Sequence, residues 1–175
     1  MTHLPVPPAG FLPSVTVTVV WYFIMQSARA SMWRLALLSL PGTVAHELSH
    51  LVVGFVLMAE PAGFSVWPKR SRQGWTLGSV TFRRINLFNG GAVALAPLLY
   101  LPLAWYGLIR WAAPLWVHHH WCWWFGGVSL ISTILFAAIP SFQDLRQGGP
   151  SLVLYGTVGG LGWFFGSSVW RTWVH

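Results

Sequence analysis

From its N-terminal end the chain alternates long apolar stretches with short polar ones. The first stretch runs from about Phe11 to Gln26, and the second ends near Met58. Leu87 to Ile109, Trp121 to Ile139 and Ser151 to Trp170 follow. Most approach the roughly 20 residues that a helix needs to cross a bilayer. The pattern predicts an all-α membrane protein with about five transmembrane helices. Pro41 either opens the second helix late or kinks one that starts near Trp33, because proline lacks the N–H an interior position donates. One segment departs from this periodicity. Between Glu60 and Asn86, "GFSVW" and "WTLGSVTF" are rich in β-branched and aromatic residues and flank the turn-forming "PKRSRQG". That arrangement predicts a short β-hairpin at the membrane surface after the second helix.

Composition supports a membrane class. Hydrophobic residues make up 55% of the 175 and charged residues 7%, against roughly 25% charged in soluble domains. The length fits one domain, residues 1–175. The 13 Trp suit the lipid–water boundary. A net charge of +7 lies mostly between the apolar stretches, where anionic membrane lipids are the expected partner. No nucleic-acid-binding module is recognisable, so nucleic acid is not expected as a partner. A single cysteine, Cys122, excludes an internal disulfide and a cysteine metal cage. The proline-rich start "MTHLPVPPAG" lacks a positive n-region, so the first span is expected to remain as an anchor. Five alternating spans put Lys69, Arg70, Arg72, Arg83, Arg84 and Arg146 on one side, with Arg29, Arg34, Arg110 and Arg171 on the other. The first side is then the cytoplasmic one.

The second span carries "HELSH", residues 46–50. Residues four apart share a helix face, so the imidazoles of His46 and His50 can grip one metal ion. Glu47, beside the first histidine, then serves as general base toward metal-bound water. Ionisable groups within a span cost several kcal/mol, which makes them a functional-site hypothesis in their own right. Only three acids exist to supply a third ligand: Glu47, Glu60 and Asp144. Glu60 lies about 15 Å along a straight helix from His50 and off the ligand face, and is expected to cap the span at the water boundary. Asp144 is left, in "AAIPSFQDLRQGG", where Pro140 should break the helix just before it and turn the carboxylate inward. "HHH" at 118–120 reads as an interfacial polar loop.

"HELSH" in an early span, a β-rich segment directly after it, and a later span ending in an aspartate after a proline resemble the site-2 protease family of intramembrane zinc metalloproteases. The resemblance covers about 41–146. It implies a three-helix catalytic core with Zn2+ held inside the membrane near the cytoplasmic face. It further implies cleavage of transmembrane segments of other proteins. His46, His50 and Asp144 match the family's zinc ligands and Glu47 its base. Ser49 stands where the family usually has Gly, and Leu145 follows the aspartate where it usually has Gly. The usual helper asparagine for the oxyanion has no clear counterpart; Gln143, Ser141 and Asn89 are the options. The expected function is an intramembrane zinc endopeptidase, multi-pass in a bacterial inner (cytoplasmic) membrane. The competing reading is a non-proteolytic metal-binding membrane protein, such as a pseudoprotease or transporter subunit. Gly54 and Gly90–Gly91 are expected to let helices approach closely.

Overall fold

The computed structural model describes residues 9–71 and 74–173, so the proline-rich start and the hairpin tip at Arg72 lie outside the described residues. The chain is mostly helical. Helix α1 spans Phe11–Ala28 and α2 spans Met32–Val56. Four short strands follow: β1 (Pro61–Ser65), β2 (Lys69–Ser71), β3 (Gly74–Thr76) and β4 (Ser79–Phe82). Helices α3 (Gly90–Leu95), α4 (Tyr100–Gly107) and α5 (Ala113–Val117) form one helical run, Gly90–Val117, joined by a 3-10 turn at Ala96–Leu99 and a π turn at Leu108–Ala112. Pro97 and Pro114 sit at these joints, where a missing N–H interrupts the i→i−4 ladder and the helix re-forms beyond it. Helices α6 (Trp121–Ala137) and α7 (Phe142–Trp173) complete the fold.

Burial is inverted relative to a water-soluble domain. The fully or nearly buried apolar side chains include Ala28, Ala94, Ala96, Ala104, Ala112, Ala113 and Ala138, while Leu37, Phe55, Leu103, Trp123 and Trp163 lie exposed. Small residues inside and large apolar ones outside is the packing of helices in lipid, where close backbone approach rather than oil-like burial drives association. Hydroxyl and indole groups supply the glue: Trp124 Nε1 donates to Ser14 Oγ at 2.9 Å, and Trp21 Nε1 donates to Thr133 Oγ1 at 2.9 Å. A compact cluster of Leu108, Ala112, Trp124 and Val128, with Phe11 and Trp116 against it, seals this end of the bundle.

Two helices, α1 and the Gly90–Val117 run, are long and apolar enough to cross a membrane, and α6 with α7 makes a third unit bent by 58°. The expected set of about five spans is therefore met only in part. Helix α2 has the length, 25 residues, but His46, Glu47 and His50 lower its hydropathy. The alternation itself also fails. Ser14 meets Trp124 and Trp21 meets Thr133, so α1 and α6 run in the same direction, whereas first and fourth spans of a strict alternation run opposite ways. Hydropathy counts apolar stretches but carries no direction. Helix α2 starts at Met32 with Pro41 inside it, the earlier of the two expected starts. One boundary differs: α7 starts at Phe142 rather than Ser151 and runs through Pro150.

The predicted β segment is present as two nested antiparallel ladders. Phe64 pairs with Val80 and Ser65 with Ser79, while Lys69 pairs with Thr76 nearer the tip. Gly54 does not meet another helix as expected; Phe82 of β4 packs on it, which ties the hairpin to the end of α2. Gly90 and Gly91 do serve close helix approach, against Ser151 and Tyr155 of α7.

Candidate metal centre

Helical periodicity puts His46 and His50 on one face of α2, and the helices around α2 fix their rings. His46 Nδ1 donates to the Ala137 carbonyl at the end of α6 (2.6 Å), and His50 Nδ1 donates to the Val93 carbonyl in α3 (2.7 Å). A carbonyl only accepts, so both Nδ1 atoms carry the hydrogen. Both Nε2 atoms then point to a common spot, 3.1 Å apart. In the neutral tautomer each presents a lone pair there, and either a shared proton or a metal ion relieves their repulsion at that separation.

Asp144 completes the group. Its Oδ1 lies 3.3 Å from His50 Nε2 and its Oδ2 lies 3.4 Å from His46 Nε2. The chain breaks after Ala137, as Pro140 predicts, and α7 restarts with a reciprocal cap. The Ser141 N–H donates to Asp144 Oδ2 at 2.7 Å, and the Asp144 N–H donates to Ser141 Oγ at 3.2 Å. This is a capping box with aspartate in the third position. It holds the carboxylate in one orientation, and the α6–α7 break turns it to the histidines. The three residues form a group that could hold a metal ion. Among the described residues, His118, His119 and His120 form no such group.

A cavity of about 1030 Å³ opens on the group and is lined by His46, Glu47, His50 and Asp144 together. Glu47 is buried, and its carboxylate makes no hydrogen bond or ion pair with the described residues. Over it lies the loop between β3 and β4: a Cβ placed on Gly78 would come 2.7 Å from Glu47 Oε1. A side chain at this position would displace the Glu47 carboxylate. Below the histidines, Gly42 abuts the Thr133 carbonyl of α6, and Tyr100 OH donates to the Ala45 carbonyl at 2.8 Å. These contacts set the height of α2 against its neighbours and hence where the two rings sit.

Other expected roles come out differently. Glu60 lies outside the site, as expected, with its Oε1 3.0 Å from Arg84 Nε at the start of the hairpin. Asn89 is not free to donate to a substrate: its Nδ2 donates to the Arg84 carbonyl at 2.9 Å and its Oδ1 accepts from the Asn86 N–H at 2.8 Å. Ser141 and Gln143 do line the cavity. Arg29, expected at the opposite membrane face from Arg146, lines the same cavity as Arg146 because α1 ends beside the end of α6. No protein-family model matches the chain, nor does any curated protein or solved structure.

Proposed function

We propose that the protein is an intramembrane zinc endopeptidase of the site-2 protease type, hydrolysing peptide bonds in or near transmembrane segments of other membrane proteins. The observation that carries this reading is the convergence of the ligand groups: the two Nε2 atoms lie 3.1 Å apart, and the Asp144 carboxylate faces both, Oδ1 at 3.3 Å from His50 Nε2 and Oδ2 at 3.4 Å from His46 Nε2. Zinc bonds of about 2.0–2.1 Å at tetrahedral angles separate ligand atoms by about 3.3 Å. Two imidazoles and a carboxylate leave one position open, which is the composition of catalytic rather than structural zinc sites. Each imidazole also donates its other N–H to a carbonyl, the outer bond that orients metal-ligating histidines.

Bound there, zinc supplies Lewis-acid activation of a water and of the scissile carbonyl. The chain's own groups perform the remaining tasks. Glu47 faces the cavity with a carboxylate that nothing else engages, so it accepts a proton from water and returns it to the leaving amine. Gln143, on the cavity wall, offers an amide donor to the developing oxyanion. Ser79, Val80 and Phe82 bring β4 onto the wall, and a strand edge there holds an unwound substrate segment extended. A helical peptide bond is shielded, so the extended form is the one that reacts. The apolar exterior favours a multi-pass membrane protein; the bacterial inner membrane is part of the proposal and rests on the resemblance to site-2 proteases. The arginines around the cavity favour a site nearer the cytoplasmic face.

Metal analysis and trapping test the reading. The wild type should carry about one zinc per chain, and His46→Ala should carry none. Glu47→Gln should keep zinc, lose cleavage and retain bound substrate in native membranes. A zinc-loaded wild type whose Glu47→Gln variant enriches no membrane protein over His46→Ala would point to a metal-binding protein without protease activity.

A further inference from the structure

Two acids and two arginines line the cavity, and they do not pair with each other among the described residues. The sequence holds three acidic side chains, and none of them pairs with Arg29 or Arg146. Glu60 pairs with Arg84, Asp144 faces both histidines, and Glu47 lies buried beside them. Two arginines nevertheless line the same cavity, Arg29 from the end of α1 and Arg146 from the first turns of α7. Neither forms an ion pair among the described residues. Arg29 is held in place all the same: its Cζ lies 5.1 Å from the centroid of the Phe136 ring. That contact positions the guanidinium without neutralising it. Phe136 adjoins Ala137, whose carbonyl accepts from His46, so the charge is fixed on the stretch of α6 that orients a ligand ring. Arg146 lies two residues beyond Asp144 on the same helix. A planar guanidinium is the side chain suited to bidentate recognition of a carboxylate.

We propose that Arg29 and Arg146 read an acidic side chain, Asp or Glu, in the substrate segment entering the cavity. This deepens the protease reading and rests on it. An acidic residue near the scissile bond also disfavours deep placement of that segment in lipid, so one group serves both recognition and entry into the polar cavity. The occupant is taken as peptide rather than lipid because these two charges sit on the wall of the same cavity as the metal group. Arg29 and Arg146 are exposed, as are Lys69, Arg83 and Arg84, but the latter three lie on the hairpin and its base and do not line the cavity, so headgroups are their natural partners.

The test uses full-length protein in phosphatidylcholine nanodiscs and two transmembrane peptides differing only in Glu against Gln beside the cleavage position. The acidic peptide should be cleaved with a kcat/KM about tenfold higher. That ratio should shrink in about 1 M salt. In the Arg29→Gln, Arg146→Gln double variant it should fall to about one. Charge reversal by Arg146→Glu should favour a Lys peptide instead. Binding of the same peptides to the Glu47→Gln variant gives an arm that needs no turnover. A preference for the acidic peptide there upholds the arginine pair even if the protease reading fails. Equal binding, or a preference that survives the double variant, overturns the proposal. Loss of the preference in nanodiscs containing phosphatidylglycerol also overturns it, since a lipid phosphate would then be the true occupant.

Discussion

Gly78→Ala probes the link between the hairpin and the proposed base. The added Cβ would lie 2.7 Å from both Cγ and Oε1 of Glu47 and 2.9 Å from Cδ. Carbon contacts are most favourable at about 3.5 Å or more, so roughly 0.8 Å of overlap must be relieved. All three nearest atoms belong to a flexible side chain that no hydrogen bond holds. Glu47 therefore moves before the backbone does, and the stability cost stays near 1 kcal/mol, at the low end of overpacking. Catalysis is less forgiving, because a displacement of about 1 Å in a reacting group can cost about a hundredfold. The variant should melt within a few degrees of wild type, carry the same zinc, and cleave a model transmembrane substrate about a hundredfold more slowly. Gly126→Ala is the matched control: nothing lies within 4 Å of a Cβ there, so it should stabilise α6 slightly and leave turnover unchanged. A folded, zinc-loaded Gly78→Ala protein with wild-type turnover would refute the reasoning. Either Glu47 would not be the base, or the hairpin would not rest on it.

Three further outcomes follow from the same geometry. Gly42→Ala puts a Cβ 2.3 Å from the Thr133 carbonyl oxygen, a backbone atom; α2 and α6 must separate, and detergent-resistant folding should weaken by about 1–3 kcal/mol. Ser141→Ala removes one half of the cap that orients Asp144; helix stability should fall by about 1 kcal/mol and zinc affinity by about tenfold, read by competition with a fluorescent chelator. Stripping the metal should lower the melting temperature, and adding zinc back should restore it in the wild type but not in Asp144→Ala. An unchanged melting curve on stripping would count against any structural contribution from the ion.

The membrane class and the core of the candidate metal centre are legible in the sequence, because both are local properties. Apolar content reads directly from composition, and the four-residue spacing of His46 and His50 becomes a shared face in any α-helix. The hairpin was legible from turn and β-branched residues for the same reason. Asp144 is what elimination among three acids leaves, and the fold brings its carboxylate to 3.3 and 3.4 Å from the two rings, in a group that could hold a metal ion. Its cap was also written in the chain, as a serine three residues ahead of an acid, but that signal lies beside Pro140 and is easily read as mere punctuation. Packing decided the rest. The carbonyls of Ala137 and Val93 that fix the imidazole tautomers have no sequence signature, since every residue carries one. Gly78 over Glu47 and Gly42 against Thr133 look like any other glycines until two backbones meet. The direction of α1 relative to α6, and with it the presence of Arg29 beside Arg146, was lost to a count of apolar stretches. Hydropathy measures affinity for lipid, whereas the sense in which helices lie together is set by which small and hydroxyl-bearing faces fit.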